Sequence, residues 1–285
     1  MVISETELST LVESHDIITL GILADDRRRE RHGLRTTFVR VAVVDAAVGA
    51  RIPPPSAAGE LRITGVPGSL ADAIARVREV VEQAGGVPVS AFSLADLERL
   101  AAREQATLRA VLEALRAAGL ELVAEAPFDE LQDPRRSVEE VNIAGLALAR
   151  LTLTKLPSAD AASLFRRIAD LQRDVAVIRA FAPLPRTVNP AVPTTGYEDV
   201  TRIALARLVV TTIASIQVDW ALYGPKLAQV ALTVGADDVD AVSPEEETGQ
   251  GRRRAPLEEI RRNIQAAGQE PVERNGRFEV REGHE

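Results

Sequence analysis

Cysteine is absent from this 285-residue chain, so it can form no disulfide and offers no thiolate to a metal or an iron–sulfur cluster. Aromatic residues make up only 3%, with a single tryptophan, Trp220, so few positions could stack on a base. His15, His32 and His284 are the only histidines and lie too far apart in sequence to suggest a metal set or a catalytic triad. No apolar run is long enough to cross a bilayer, and the opening MVISETELSTLVES lacks the basic-then-apolar order of a secretion signal. A cytoplasmic protein with no membrane partner is expected. The GxGxxG, P-loop and GxSxG patterns are missing as well.

What remains is an acidic chain, 46% hydrophobic, with a formal charge of −8. That balance argues against a nucleic-acid partner, because phosphate binding needs clustered cations. Arg27–Arg29 sits in a helical pattern with Asp25, Asp26 and Glu30 and reads as an ion-paired face. Arg252–Arg254 reads as a loop, with anion binding as its minor reading.

Strand-like apolar runs alternate with helical periodicity, the pattern of a parallel α/β sheet. The strands expected are Thr37–Val44, Leu61–Thr64, Val87–Ala91, Leu120–Ala124, Arg150–Thr154, Val175–Phe181, Ser215–Trp220 and Asp237–Asp240. They come to about eight, the number that closes a (β/α) barrel. Between them Leu70, Ile74, Val77 and Val81 share one helical face, Ser93 and Ser137 stand as helix caps, and Gly119 as a helix stop. Pro225 and Pro256 suit first helical turns, and Asn275-Gly276 suits a hairpin turn. The layout expected is one domain over 1–285: a helical extension over 1–35, a barrel over 36–240, and a helix-hairpin extension over 241–285.

Residues 215–240, SIQVDWALYGPKLAQVALTVGADDVD, resemble the closing segment of aminofutalosine synthase and dehypoxanthine futalosine cyclase. Further resemblances lie in VSAFSLADLE from Val89, LEALRAAGL from Leu112, IRAFAPLP from Ile178, TGYEDVTRIALARL from Thr195 and GQEPVER from Gly268, with weaker ones in TLGILA from Thr19 and in His32-Gly33. Those enzymes are radical S-adenosylmethionine (SAM) enzymes of the futalosine route to menaquinone. The resemblance therefore implies a radical-SAM-like TIM barrel. It also implies a [4Fe–4S] cluster on a CxxxCxxC loop after the first strand, which a chain without cysteine cannot hold. Only about fifteen residues, with Pro53–Pro55 among them, separate Val44 from Glu60, too few for that loop and a normal crossover helix. The helix after strand one is expected to be missing, the barrel wall to be incomplete there, and the exposed surface to need a cover. The loops after strands four and five, where Glu121-Leu-Val-Ala-Glu-Ala-Pro and Leu153-Thr-Lys-Leu-Pro stand, also depart from the family.

Strand alternation places Ser215, Gln217 and Asp219 inward, and groups Arg150 with Thr152 and Thr154, Glu125 with Val123 and Glu121, Arg179 with Phe181, and Arg62 with Thr64. Arg62, Arg179, Gln217 and Asp219 form the candidate ligand site with Trp220, which would stack on a base or pack as a lid. Asp219 and Glu125 are the candidate acid or base. An internally satisfied salt-bridge network is the competing account of the same charges. Asp237, Asp238 and Asp240 read as a helix cap with solvated carboxylates, or as cation ligands. The function expected is that of a non-radical pseudoenzyme of menaquinone biosynthesis, without a metal or cofactor. It would act as partner or scaffold, in an oligomer or a complex with a cysteine-bearing homologue, or as a binder of a nucleoside-like intermediate. The alternative is a cofactor-independent lyase or hydrolase acting on a futalosine-like nucleoside.

Overall fold

Eight parallel strands close into a barrel in the computed structural model, which describes residues 16–54, 56–155, 161–187, 195–245 and 256–281. They are β1 (Arg35–Asp45), β2 (Glu60–Thr64), β3 (Val89–Ser93), β4 (Leu122–Pro127), β5 (Ala147–Leu153), β6 (Ile178–Pro185), β7 (Ser215–Asp219) and β8 (Asp238–Val242). Each pairs with the next, and β8 pairs back to β1. The helices are α1 (Ile17–His32), α2 (Leu70–Gln83), α3 (Leu94–Arg103), α4 (Leu108–Ala117), α5 (Pro134–Ile143), α6 (Ala161–Val175), α7 (Gly196–Val209), α8 (Trp220–Thr233) and α9 (Pro256–Ala266). None of the described helices is long and apolar enough to cross a membrane. Pro55, His15, His284 and Arg252–Arg254 lie outside the described residues.

Local chemistry accounts for most helix ends. Ser69 caps α2 by accepting from the Asp72 amide, and Ala73, Val77 and Val80 bury its inner face. Gly119, at φ 102°, ends the turn after α4, as expected. Two expectations shift. The cap of α5 is Asp133, which accepts from the Arg136 amide, while Ser137 lies one turn inside and donates back to the Asp133 carbonyl. Pro225 follows a break at Gly224, at φ 74°, so it starts the second piece of a kinked α8 rather than the helix itself.

A ninth strand, β9 (Glu270–Glu273), was not foreseen as a parallel partner. It pairs with Arg35–Phe38 along the edge of β1 opposite β8. From Val41 onward β2 takes over that edge, pairing through Asp45–Thr64. The strand wall is therefore closed where a gap was expected. Only the helix is missing, since no helix lies among the described residues between β1 and β2.

The outward residues there are nonetheless covered. Ala42 and Val44 of β1, and Leu61 and Ile63 in register beside them, are all buried in one core cluster with Ala46 and Ala58 of the irregular segment. Arg76 of α2 fixes that segment. Its Nε donates to the Asp45 carbonyl at 2.8 Å and its second amino group to the Ala50 carbonyl at 2.9 Å, while Glu79 holds the guanidinium and accepts from the Gly49 amide. The missing helix thus leaves no bare strand face.

Candidate functional site at the barrel mouth

Parallel register turns the inward positions of the strands into stacked layers of charge. In the lowest layer Arg274 forks onto both oxygens of Asp238 at 2.6 Å, and Gln217 donates to the same carboxylate at 2.7 Å. Above it Arg62 spans Glu60, at 2.8 Å, and both oxygens of Asp240, at 2.8 and 2.9 Å, while Arg150 donates to Asp240 from the other side. Nearest solvent, Glu125 stands 3.5 Å from the Nε atoms of Arg150 and Arg186, and Arg186 also grips Asp219. The chain Glu60–Arg62–Asp240–Arg150–Glu125–Arg186–Asp219 alternates in sign throughout.

This is how buried charges are tolerated: each is paired, since an isolated one would cost several kcal/mol of desolvation, roughly. Burial works to raise the Asp240 carboxyl, but Arg150 and Arg62 override it and hold it well below the usual carboxylate range. Burial likewise acts to raise Glu125, and Arg150, Arg186 and Arg62 hold it below its ordinary value. Arg186 is opposed by burial and raised by Glu125 and Asp219.

Over these layers, at the carboxyl ends of the strands, lies a cavity of about 400 Å³ whose lining includes Arg62, Glu125, Arg150, Arg186, Asp219 and Val43. Nε of Arg150 and Oε2 of Glu125, both buried beside it, face each other at 3.5 Å, an ion pair too long for a good hydrogen bond. Arg150 is 4% exposed, so this long contact lies in the interior, and Arg186 approaches the same carboxylate oxygen at 3.5 Å. Phe92 and Ala241, which also line the cavity, both take φ near 58° without being glycine. Such strain concentrates at ligand sites.

The structure brings together Arg62, Glu125 and Asp219 among the expected residues, and sets three apart from the cavity. Gln217 lies a layer below, spent on Asp238. Trp220 opens α8 and is half-buried against the core; its neighbours Ala221 and Leu222 face the cavity instead. Arg179 is exposed at the opposite, amino-terminal end, in a second cavity with Arg116, Glu121 and Arg277. Its strand neighbour Phe181 packs edge-on against Phe165 of α6, so that face of β6 points outward. Asp237, just before β8, and Asp238 and Asp240 within it are buried rather than solvated, and each is taken up by arginine. Asp237 binds Arg207, Asp238 binds Arg274, and Asp240 binds Arg62 and Arg150.

Asp219 is likewise not an unpaired charge. Besides Arg186, it caps α8 by accepting from the Leu222 amide at 2.9 Å. Asp219→Ala is therefore expected to cost about 1–2 kcal/mol through the lost cap alone, and Asp219→Asn, which can still cap, clearly less. Urea unfolding of the two variants checks this; equal losses would remove the cap from the account.

Arg150, Arg186, Asp240 and Glu60 were not singled out as site residues. Arg186 was missed because β6 runs to Pro185 and carries it to the rim, whereas the apolar run by itself suggested an end at Phe181.

A radical SAM cluster does not fit these residues. The chain has no thiolate, and no group of three or more His, Cys, Asp or Glu side chains suited to a metal occurs among the described residues.

Comparison with known proteins agrees with the barrel and its ancestry. Residues 183–285 match the family model described as the CofH/MqnC C-terminal region. Over 241 residues the chain is 29% identical to the aminodeoxyfutalosine synthase of Thermus thermophilus, covering 72% of this chain and 64% of that one. Over 192 residues it is 29% identical to the 5-amino-6-(D-ribitylamino)uracil–L-tyrosine 4-hydroxyphenyl transferase of Methanospirillum hungatei, covering 58% and 52%. The cyclic dehypoxanthine futalosine synthase of Streptomyces coelicolor is 25% identical over 67% of this chain and 54% of its own length. The chain thus spans between half and two thirds of the length of these curated relatives. Methylornithine synthase superposes with a TM-score of 0.68 at 13% identity, over 95% of both chains, and the hydrogenase maturase HydG with 0.62 at 10%, over 95% of this chain and 70% of that one. At such identities these two show the fold alone. The chain is thus similar in sequence to futalosine-type and CofH-type enzymes, lacks cysteine altogether, and folds as a closed α/β barrel.

Proposed function

We propose that this protein is a non-radical pseudoenzyme that binds a polar, nucleoside-like intermediate of the menaquinone route at the barrel mouth. One observation carries the reading: buried Nε of Arg150 and Oε2 of Glu125 meet only in a long ion pair of 3.5 Å, beside an open cavity at the carboxyl ends of the strands. A barrel kept only for structure would satisfy or replace them. The charged edges of Glu125, Arg150, Arg186 and Asp219 that line this cavity suit a polar, hydroxyl-bearing ligand.

Acid–base catalysis has less support from the same groups. Glu125 is held ionised by its arginines, which makes it a hydrogen-bond acceptor and a poor proton donor near neutrality. Asp219 is engaged by Arg186 and the α8 amide. A scaffold role would draw on a bare strand face, and the outward residues of β1 and β2 are covered.

Calorimetry with aminodeoxyfutalosine tests the reading. Wild-type protein is expected to bind it without turnover, and Glu125→Gln to weaken binding about 10–100-fold, the worth of one hydrogen bond to a charged group. The melting temperature of the variant should fall, because Arg150 and Arg186 lose a counter-charge, so binding is compared well below both transitions. Absence of binding by the wild type would defeat the proposal, and cleavage of the compound would move the protein to the lyase or hydrolase class.

A further inference from the structure

The mouth cavity does not end at the charged layer. Val43 of β1 pairs in register with Arg62 and so points to the barrel interior, yet it is 59% exposed. It lines two cavities at once: the charged one, and another of about 750 Å³ that reaches over the rim to Pro53, Pro54 and Ala57 of the irregular segment and Pro244 beyond β8. The two ends differ in chemistry. On one side stand Glu125, Arg150 and Arg186. On the other, three prolines and Ala57 stand around the exposed Val43, with Arg51, Ser56 and Glu245 adding polar groups to the same lining.

At an inward strand position, an exposed valine offers apolar surface that a ligand can cover. The second cavity is also preorganised. Arg76 and Glu79 bond the backbone at Asp45, Gly49 and Ala50, just before the first of the cavity's prolines, and proline fixes its own φ. A ligand arm entering there would meet walls already partly held in place.

We infer that the ligand of the mouth is elongated and amphipathic, with a polar head on the Glu125–Arg150 end and a flat apolar arm lying across Val43 onto the proline-lined cavity. This rests on the mouth being a binding site, and it adds the ligand's shape and the residues that select it. The helixless segment after β1 becomes in this account a specificity wall.

The test compares two probes by calorimetry: adenosine, as a polar head without an arm, and aminodeoxyfutalosine, as a longer molecule. Wild type is expected to favour the longer probe by at least about tenfold, on the order of one further buried apolar group. Ala57→Trp, in the lining of the second cavity and not of the charged one, should abolish that preference while leaving adenosine affinity unchanged. Val43→Trp, at the junction of the two cavities, should abolish the preference too and weaken adenosine binding as well, since it also lines the charged cavity. If both variants bind the longer probe as the wild type does, or if the wild type shows no preference, the extended site is wrong while the mouth reading stands. Binding of neither probe by the wild type overturns both.

Discussion

Asp240→Ala is expected to lower stability by about 3–5 kcal/mol, because it leaves two guanidiniums inside the barrel with half their partners gone. Arg62 would keep Glu60 at 2.8 Å, and Arg150 would keep only the longer approach to Glu125. Unfolding in urea measures the loss. The double variant Asp240→Ala, Arg150→Met should recover part of it, since it removes a charge the single variant leaves stranded. A fall of under about 1 kcal/mol in the single variant would mean that water reaches this layer and replaces the carboxylate. The pH dependence has a definite sign. The folded pKa of Asp240 lies far below its unfolded value, so its contribution is fully present above about pH 4 and is lost as the pH falls further toward the folded value. The gap between wild type and Asp240→Asn should hold steady from pH 7 to 5 and narrow only in stronger acid.

The barrel was legible because its signals are local and repeated. Apolar runs between helical faces and end residues such as Gly119 depend on neighbours in sequence, and they placed all eight barrel strands to within a few residues. What escaped depends on pairing across the barrel. Strand alternation put Arg62, Glu125 and Asp219 inside, but periodicity cannot tell which arginine meets which carboxylate. Asp240 therefore passed for a solvated residue, although it holds Arg62 and Arg150 together. Arg179 went to the wrong face for a related reason. Alternation fixes which residues of a strand share a side, and only the packing of Phe181 on Phe165 shows that this side points outward. β9 was invisible as a barrel partner because its four residues carry almost no pattern of their own. Its place along Arg35–Phe38 becomes evident only once β2 is seen to join β1 late, at Val41.

Arg76→Ala is the second large effect expected, about 2–4 kcal/mol, and it asks how a barrel unit survives without its helix. Nothing in the sequence marks Arg76 as unusual on its helix, yet it is fully buried and donates to two backbone carbonyls of the segment that replaces the helix. Removing it leaves the Asp45 and Ala50 carbonyls without their donor and opens a void where a fully buried side chain stood if the segment does not collapse into it, roughly 2–4 kcal/mol together. Arg76→Met keeps much of the volume and loses the bonds, so it separates packing from hydrogen bonding. If bonding dominates, the methionine variant should be nearly as unstable as the alanine one. The loss should also be local: amide exchange should quicken over residues 46–59 in either variant, ahead of the β5–β6 pair on the far side of the barrel. Uniform acceleration would show that the segment unfolds only with the whole barrel, and that the arginine supports the global fold instead of one wall of the mouth. If exchange does rise locally, preference for the longer probe should weaken in Arg76→Met with little change toward adenosine, because the prolines of that wall hang from the backbone this side chain holds.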